Sequence, residues 1–128
     1  MANVPEGLRY TREHEWARDD GGRVRVGITA YAQEQLGDVV FVELPKVGAR
    51  VTRMQGFGVV ESVKAVSDLF APLDGTVAEV NGELARAPEL VNQDPYGRGW
   101  MVVITPADPG QLVSLMTARQ YADFIAAA

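Results

Sequence analysis

The sequence predicts a mainly β protein, a flattened barrel-sandwich with short helices and one C-terminal helix. Three observations carry that expectation. Short runs of valine and other β-branched or small residues recur along the chain, each closed by Gly, Pro, Asn or Asp, as strands punctuated by turns should be. A faint internal echo runs through them: Gly37, Val39 and Val42 share their spacing with Gly75, Val77 and Val80, and Gly56–Val60 resembles Gly99–Val103. That echo agrees with two related halves, each giving strands to the barrel. Only the last stretch has a clear helical period.

In chain order, residues 1–12 are a polar lead-in in which Pro5 and Gly7 oppose regular structure, while Tyr10 and Trp16 can fold it back onto the domain. Asp19-Asp20-Gly21-Gly22 favours a positive-φ hairpin turn between a strand near Glu15–Arg18 and one near Arg23–Ile28. Gly27–Gly37 reads as a short helix, with Thr29 as its N-cap and Gly37 left-handed just past its end. Val39–Leu44 and a stretch near Ala49–Arg53 are strands, the first ended by Pro45 and Gly48.

Phe57–Val63 and Ala65–Ala71 are two strand-like runs with only Lys64 between them, which makes a hairpin with Lys64 at its tip. Gly75–Val80 alternates with period two and ends at the turn Asn81-Gly82. Glu83–Val91 suits a helical turn or two interrupted at Pro88, Asn92–Gly97 is loop, and Gly99–Thr105 is a buried strand stopped by Pro106. Thr117-Ala118-Arg119-Gln120 has the form of a capping box. Met116 and Tyr121 stand where a hydrophobic staple closes, and Tyr121, Phe124 and Ile125 fall on one helical stripe.

Composition narrows the possible functions. With 128 residues, 47% hydrophobic and 23% charged, the chain suits one soluble globular domain. A net charge of −5 with scattered arginines disfavours nucleic acid and suits partners with basic docking surfaces. The absence of cysteine excludes disulfides, thiolate zinc sites and a cysteine nucleophile. No apolar run is long enough for a membrane span, and MANVPEGLRY has neither a secretory apolar core nor a transit-type segment, so a cytosolic protein is expected. Nothing marks a self-complementary apolar seam, and a monomer is expected.

Catalysis by the bare chain is poorly provided for. His14 is the only histidine, and no G-x-S-x-G elbow accompanies it. Glu13-His14-Glu15 suggests a metal site, but on a strand neighbouring side chains point to opposite faces and do not converge. Gly56-x-Gly58 lacks the third glycine and the following helix of a dinucleotide fingerprint.

Lys64 stands out instead. Of 12 basic residues only Lys46 and Lys64 are lysine, and unlike arginine a lysine can lose its proton and be acylated. Around it, Glu61-Ser62-Val63-Lys64-Ala65, then Ser67-Asp68, Ala71-Pro72 and Gly75, resemble the modified hairpin of the glycine cleavage system H proteins, a family of lipoyl carriers. The His14-Glu15-Trp16 stretch, the G-I-T-x-x-A-Q…L-G-D pattern from Gly27 and the C-terminal helix match the same family, over roughly residues 5–125. Biotin carriers generally show M-K-M at the lysine, and lipoyl domains of 2-oxo acid dehydrogenases more often D-K-A. Here the neighbours are Val63 and Ala65.

The resemblance implies a fold of the lipoyl/biotinyl type, with its core over about 23–106 and with 1–22 and the helix 117–127 packed on it. It implies lipoate in amide linkage on Lys64, with Glu61, Ser62, Val63 and Ala65 as the recognition hairpin. The carrier would take the aminomethyl group of glycine from a pyridoxal-phosphate glycine decarboxylase to a tetrahydrofolate-dependent aminomethyltransferase. Dihydrolipoamide dehydrogenase would then reoxidise it, and a lipoyl or octanoyl ligase or transferase would first load it. The protein would be a substrate carrier, not an enzyme by itself. Because the aminomethyl amine is cationic, Asp68 and Glu15 are candidate contacts to the loaded arm. Two rivals remain open: a relay that donates lipoyl or octanoyl groups to other proteins, and an unmodified scaffold.

Overall fold

A computed structural model describes residues 3–128 of the chain. Among these residues nine strands form two antiparallel sheets. The larger runs in the order β1 (Arg9–Tyr10), β2 (Glu15–Asp20), β3 (Arg23–Ile28), β9 (Val102–Pro106), β8 (Gly75–Val80), β5 (Arg50–Val51). The smaller is β4 (Val39–Glu43), β6 (Gly56–Ser62) and β7 (Val66–Phe70). Four short α-helices, α1 (Ala30–Leu36), α2 (Leu90–Gln93), α3 (Gly110–Val113) and α4 (Ala118–Ala126), and a 3-10 helix over Gly82–Ala85 complete the fold. This is the expected barrel-sandwich, with two open sheets and no closed ring of strands.

Alternation along the strands fills the space between the sheets. Val24, Val26, Val77 and Ile104 pack with Ala71 and Leu73 in one buried cluster. Val39, Val42, Val60 and Leu69 pack with Ile28, Leu84 and Met101 in another, and Phe57 touches both. Each fully buried side chain of this kind is worth about 1.5–3 kcal/mol, so the smaller sheet, which carries the hairpin, is anchored from beneath.

Local chemistry sets the connections. Gly21 and Gly22, at φ 68° and 94°, form the two-residue turn between β2 and β3, with Asp20 paired to Arg23. Thr29 caps α1 through its hydroxyl, which accepts from the Ala32 amide. The capping box of α4 is complete: Gln120 N donates to Thr117 Oγ1 at 3.2 Å and Thr117 N to Gln120 Oε1 at 2.9 Å. Tyr121 stacks on Tyr10 at 4.6 Å, and with Trp16 they bury the N-terminal segment under α4.

Several elements depart from expectation. The polar lead-in contains a strand, β1, paired to β2 through Tyr10 and Trp16. Helix α3 follows Pro109 in a stretch where no element was expected. Asn92 and Gln93 belong to α2 rather than to the loop after it. The last long strand begins at Val102, because the amides of Gly99 and Trp100 turn back to Asp94 O and Gly97 O. Gly37 has φ 79° and ψ −157°, an extended positive-φ conformation rather than a left-handed one, although its amide still closes α1 on Gln33 O. Among the described residues no helix is long and apolar enough to cross a membrane.

Candidate functional site

The β6–β7 hairpin presents Val63, Lys64 and Ala65 at its tip, all exposed, on the buried shoulder of Ser62. Ser62 holds the turn. Its amide donates to Ala65 O at 2.8 Å, and its hydroxyl accepts from Ala65 N at 3.0 Å and Lys64 N at 3.3 Å. Val63 N donates to Asp38 O at 3.0 Å, tying the tip to the start of β4. The bend is therefore set by backbone and serine, without the lysine side chain. Among the described residues the ammonium of Lys64 has no ion-pair partner.

The stem of Lys64 passes over Gly37, where an added Cβ would sit 3.4 Å from Lys64 Cε. Asn92, expected in a loop but found on α2, fixes that segment. Its Nδ2 donates to Gly37 O at 2.8 Å and to Gln33 Oε1 at 3.0 Å, and its Oδ1 accepts from Val39 N at 2.9 Å. Only the helical position of Asn92 brings these partners together. No sequence pattern announced it.

Beside the hairpin lies an open groove of about 260 Å³. Ser67 and Asp68 of β7, Val60 of β6, His14 and Glu15 ahead of and on β2, and Tyr31 of α1 line it. The structure thus brings Asp68 and Glu15 to one groove, but in different environments. Asp68 is exposed. Glu15 is 1% exposed, so it is not the surface acid that its sequence neighbours suggest. Thr11 Oγ1 donates to one of its oxygens at 2.5 Å and Phe70 N to the other at 3.2 Å. Burial outweighs these hydrogen bonds and pushes its pKa up to about 8.

Glu13 and His14 lie in a turn before β2, not on a strand, so alternation of strand faces does not govern them. His14 has φ 73°. Its Nδ1 lies 2.8 Å from the Tyr121 hydroxyl, and its ring packs 4.9 Å from that of Tyr31. Burial lowers its pKa from the ordinary value, opposed by the charge of Glu13. Among the described residues no three His, Asp or Glu side chains are grouped to hold a metal ion.

Residues 8–128 match the family model described as glycine cleavage H-protein. The chain belongs to that family. A glycine cleavage system H protein of Anaeromyxobacter sp. (strain K) is 60% identical over 122 residues, 95% of each chain. One from Geobacillus kaustophilus is 58% identical over 119 residues, 93% of this chain and 94% of the relative. The crystal structure of a glycine cleavage system H protein from Mycobacterium marinum matches with a TM-score of 0.89 at 43% identity, covering 96% of this chain and 99% of that one. The similarity to these H proteins spans both sheets, the hairpin and α4.

Proposed function

We propose that this member of the H-protein family carries lipoate in amide linkage on Lys64. As such a carrier it moves the aminomethyl group of glycine among the other components of the glycine cleavage system in the bacterial cytoplasm. The observation that supports this best is the setting of Lys64. It is one of two lysines in the chain, exposed on a turn that needs nothing from its side chain, with its stem over a glycine. Lys46 is also exposed, but it lies on the link between β4 and β5, which belong to different sheets, and not at the tip of a paired hairpin. The residues fit a long acyl group: a slim tip for attachment, and an open groove alongside with apolar walls and carboxylates.

When bound, lipoate would supply the thiol–disulfide chemistry that a chain without cysteine lacks. The chain supplies position. Ser62 holds the tip rigid, Glu61, Val63 and Ala65 surround the amine for recognition by a lipoyl or octanoyl ligase or transferase, and Asp68 and Glu15 face a cationic amine entering the groove. A cation beside Glu15 favours its ionised form, opposing the effect of burial. Tethering gives each docked partner a high effective concentration of the cargo. Those partners are the pyridoxal-phosphate decarboxylase, the tetrahydrofolate-dependent aminomethyltransferase and dihydrolipoamide dehydrogenase. The chain itself does no bond chemistry.

Intact mass after treatment with a lipoate ligase, lipoate and ATP tests the site. One lipoyl group should be gained by the wild type and by Lys46→Arg, and none by Lys64→Arg. Glycine-dependent exchange of labelled carbon dioxide with the decarboxylase then tests the role. A Lys64→Arg protein that still gains the group, or a loaded carrier that supports no exchange, overturns the reading.

A further inference from the structure

Of the seven exposed large apolar side chains among the described residues, four gather around Lys64: Val40 (50%), Phe41 (50%) and Val66 (65%) on the smaller sheet and Val63 (70%) on its hairpin turn, while Val47, Met54 and Val113 lie elsewhere. The register explains how. Phe41 of β4 stands opposite Glu61 of β6, which stands opposite Val66 of β7, so the three form one row across the sheet. The next row on the same face, two residues along, is Glu43, Val59 and Asp68. A break in register between Val39 and Phe41 places two residues of β4 against one step of β6. Regular alternation would turn one of Val40 and Phe41 inward. The irregularity leaves both half exposed, and such bulges serve to re-aim side chains.

An aromatic and three valines kept in water beside the modified lysine are costly to solubility unless something covers them. Charge identifies what does. Glu43, Glu61 and Asp68 flank the patch, all exposed, and among the described residues none is in a salt bridge. A second copy of the chain would set these acids against their own kind, and nucleic acid or an anionic membrane would be repelled by them. The complement is a protein surface with an apolar pocket rimmed by arginine or lysine at the mouth of an active site.

We propose that Val40, Phe41, Val63 and Val66, framed by Glu43 and Glu61, form the docking face for the enzyme that acylates Lys64, with Phe41 as its anchor. This rests on the carrier reading of Lys64. A single aromatic seated in a desolvated pocket commonly dominates an interface. Acids on the rim steer approach and make it salt-sensitive.

The test uses the full-length unmodified protein with a bacterial lipoate ligase, lipoate and ATP. For Phe41→Ser, KM for the carrier should rise about tenfold or more, with kcat within about twofold and an unchanged melting curve. Val113→Ser, at a more exposed position but on α3, should leave KM alone. A Lys64→Arg carrier, which cannot react, should bind the ligase in calorimetry, and adding Phe41→Ser should weaken that Kd by the same factor. Added salt should raise KM for the wild type more than for Glu43→Gln combined with Glu61→Gln. If Phe41→Ser perturbs melting, Val66→Ser provides the same comparison. A KM within twofold of wild type for both variants, or an equal rise in Val113→Ser, overturns the docking face while the carrier reading stands. A wild type that gains no lipoyl group overturns both.

Discussion

The hydroxyl of Tyr121 lies 2.8 Å from Nδ1 of His14, so the last helix holds the single histidine at the edge of the groove. The same hydroxyl is 2.7 Å from Thr29 Oγ1, the cap of α1. One phenol therefore joins three segments that meet beside the hairpin: the turn before β2, the start of α1, and α4.

Tyr121→Phe removes that junction while keeping the ring stacked on Tyr10. It leaves His14 Nδ1 without its buried partner, a loss worth about 1–3 kcal/mol. Denaturant unfolding should show a decrease of that size with an unchanged m-value, and the His14 ring resonances should move. A variant as stable as wild type would show that the hydroxyl contributes nothing to holding these segments.

Glu15 sets a pH dependence. Its ordinary pKa is 4.5 and its folded value is about 8, so between these the folded chain holds a proton that the unfolded chain has lost. Stability therefore falls as pH rises across that interval and levels off above it. His14, lowered by burial, acts oppositely at its own acid limb, but that contribution is common to wild type and variant. Relative to wild type, Glu15→Gln should be more favourable at pH 9 than at pH 5. Urea titrations of both proteins at the two values measure this, and equal differences would sink it.

Gly37→Ala probes the floor beneath the lysine stem. At φ 79° and ψ −157° a side chain is strained, by about 1–3 kcal/mol. The new methyl would also touch Lys64 Cε. Lower stability in urea and slower acylation of Lys64 are expected together. Full stability in the alanine variant would refute the strain.

What the sequence made legible was local. The hairpin follows from two valine-rich runs with one lysine between them, and the α4 cap from Thr117 and Gln120 three residues apart. The groove was not legible in the same way. Glu15 is buried because Thr11 and the Phe70 amide, 55 residues away, close over it, and no neighbour in the chain reports that. His14 escapes the strand pattern through a positive φ, uncommon outside glycine although histidine is among the residues enriched there, and nothing in the neighbouring sequence marks it. β1 is only two residues long, too short for any periodicity, and exists because Tyr10 packs against Tyr121. The docking face depends on a register break between Val39 and Phe41, which a run of valines and phenylalanine conceals.

The serine under the tip has one more consequence. Because Ser62 and the Ala65 carbonyl shape the bend without help from the amine, capping that amine removes no interaction on which the bend depends. Loaded and empty forms should therefore offer visiting enzymes nearly the same scaffold. Discrimination between them must come from the appendage itself, and amide chemical shifts at Ser62 and Ala65 should scarcely move when it is attached.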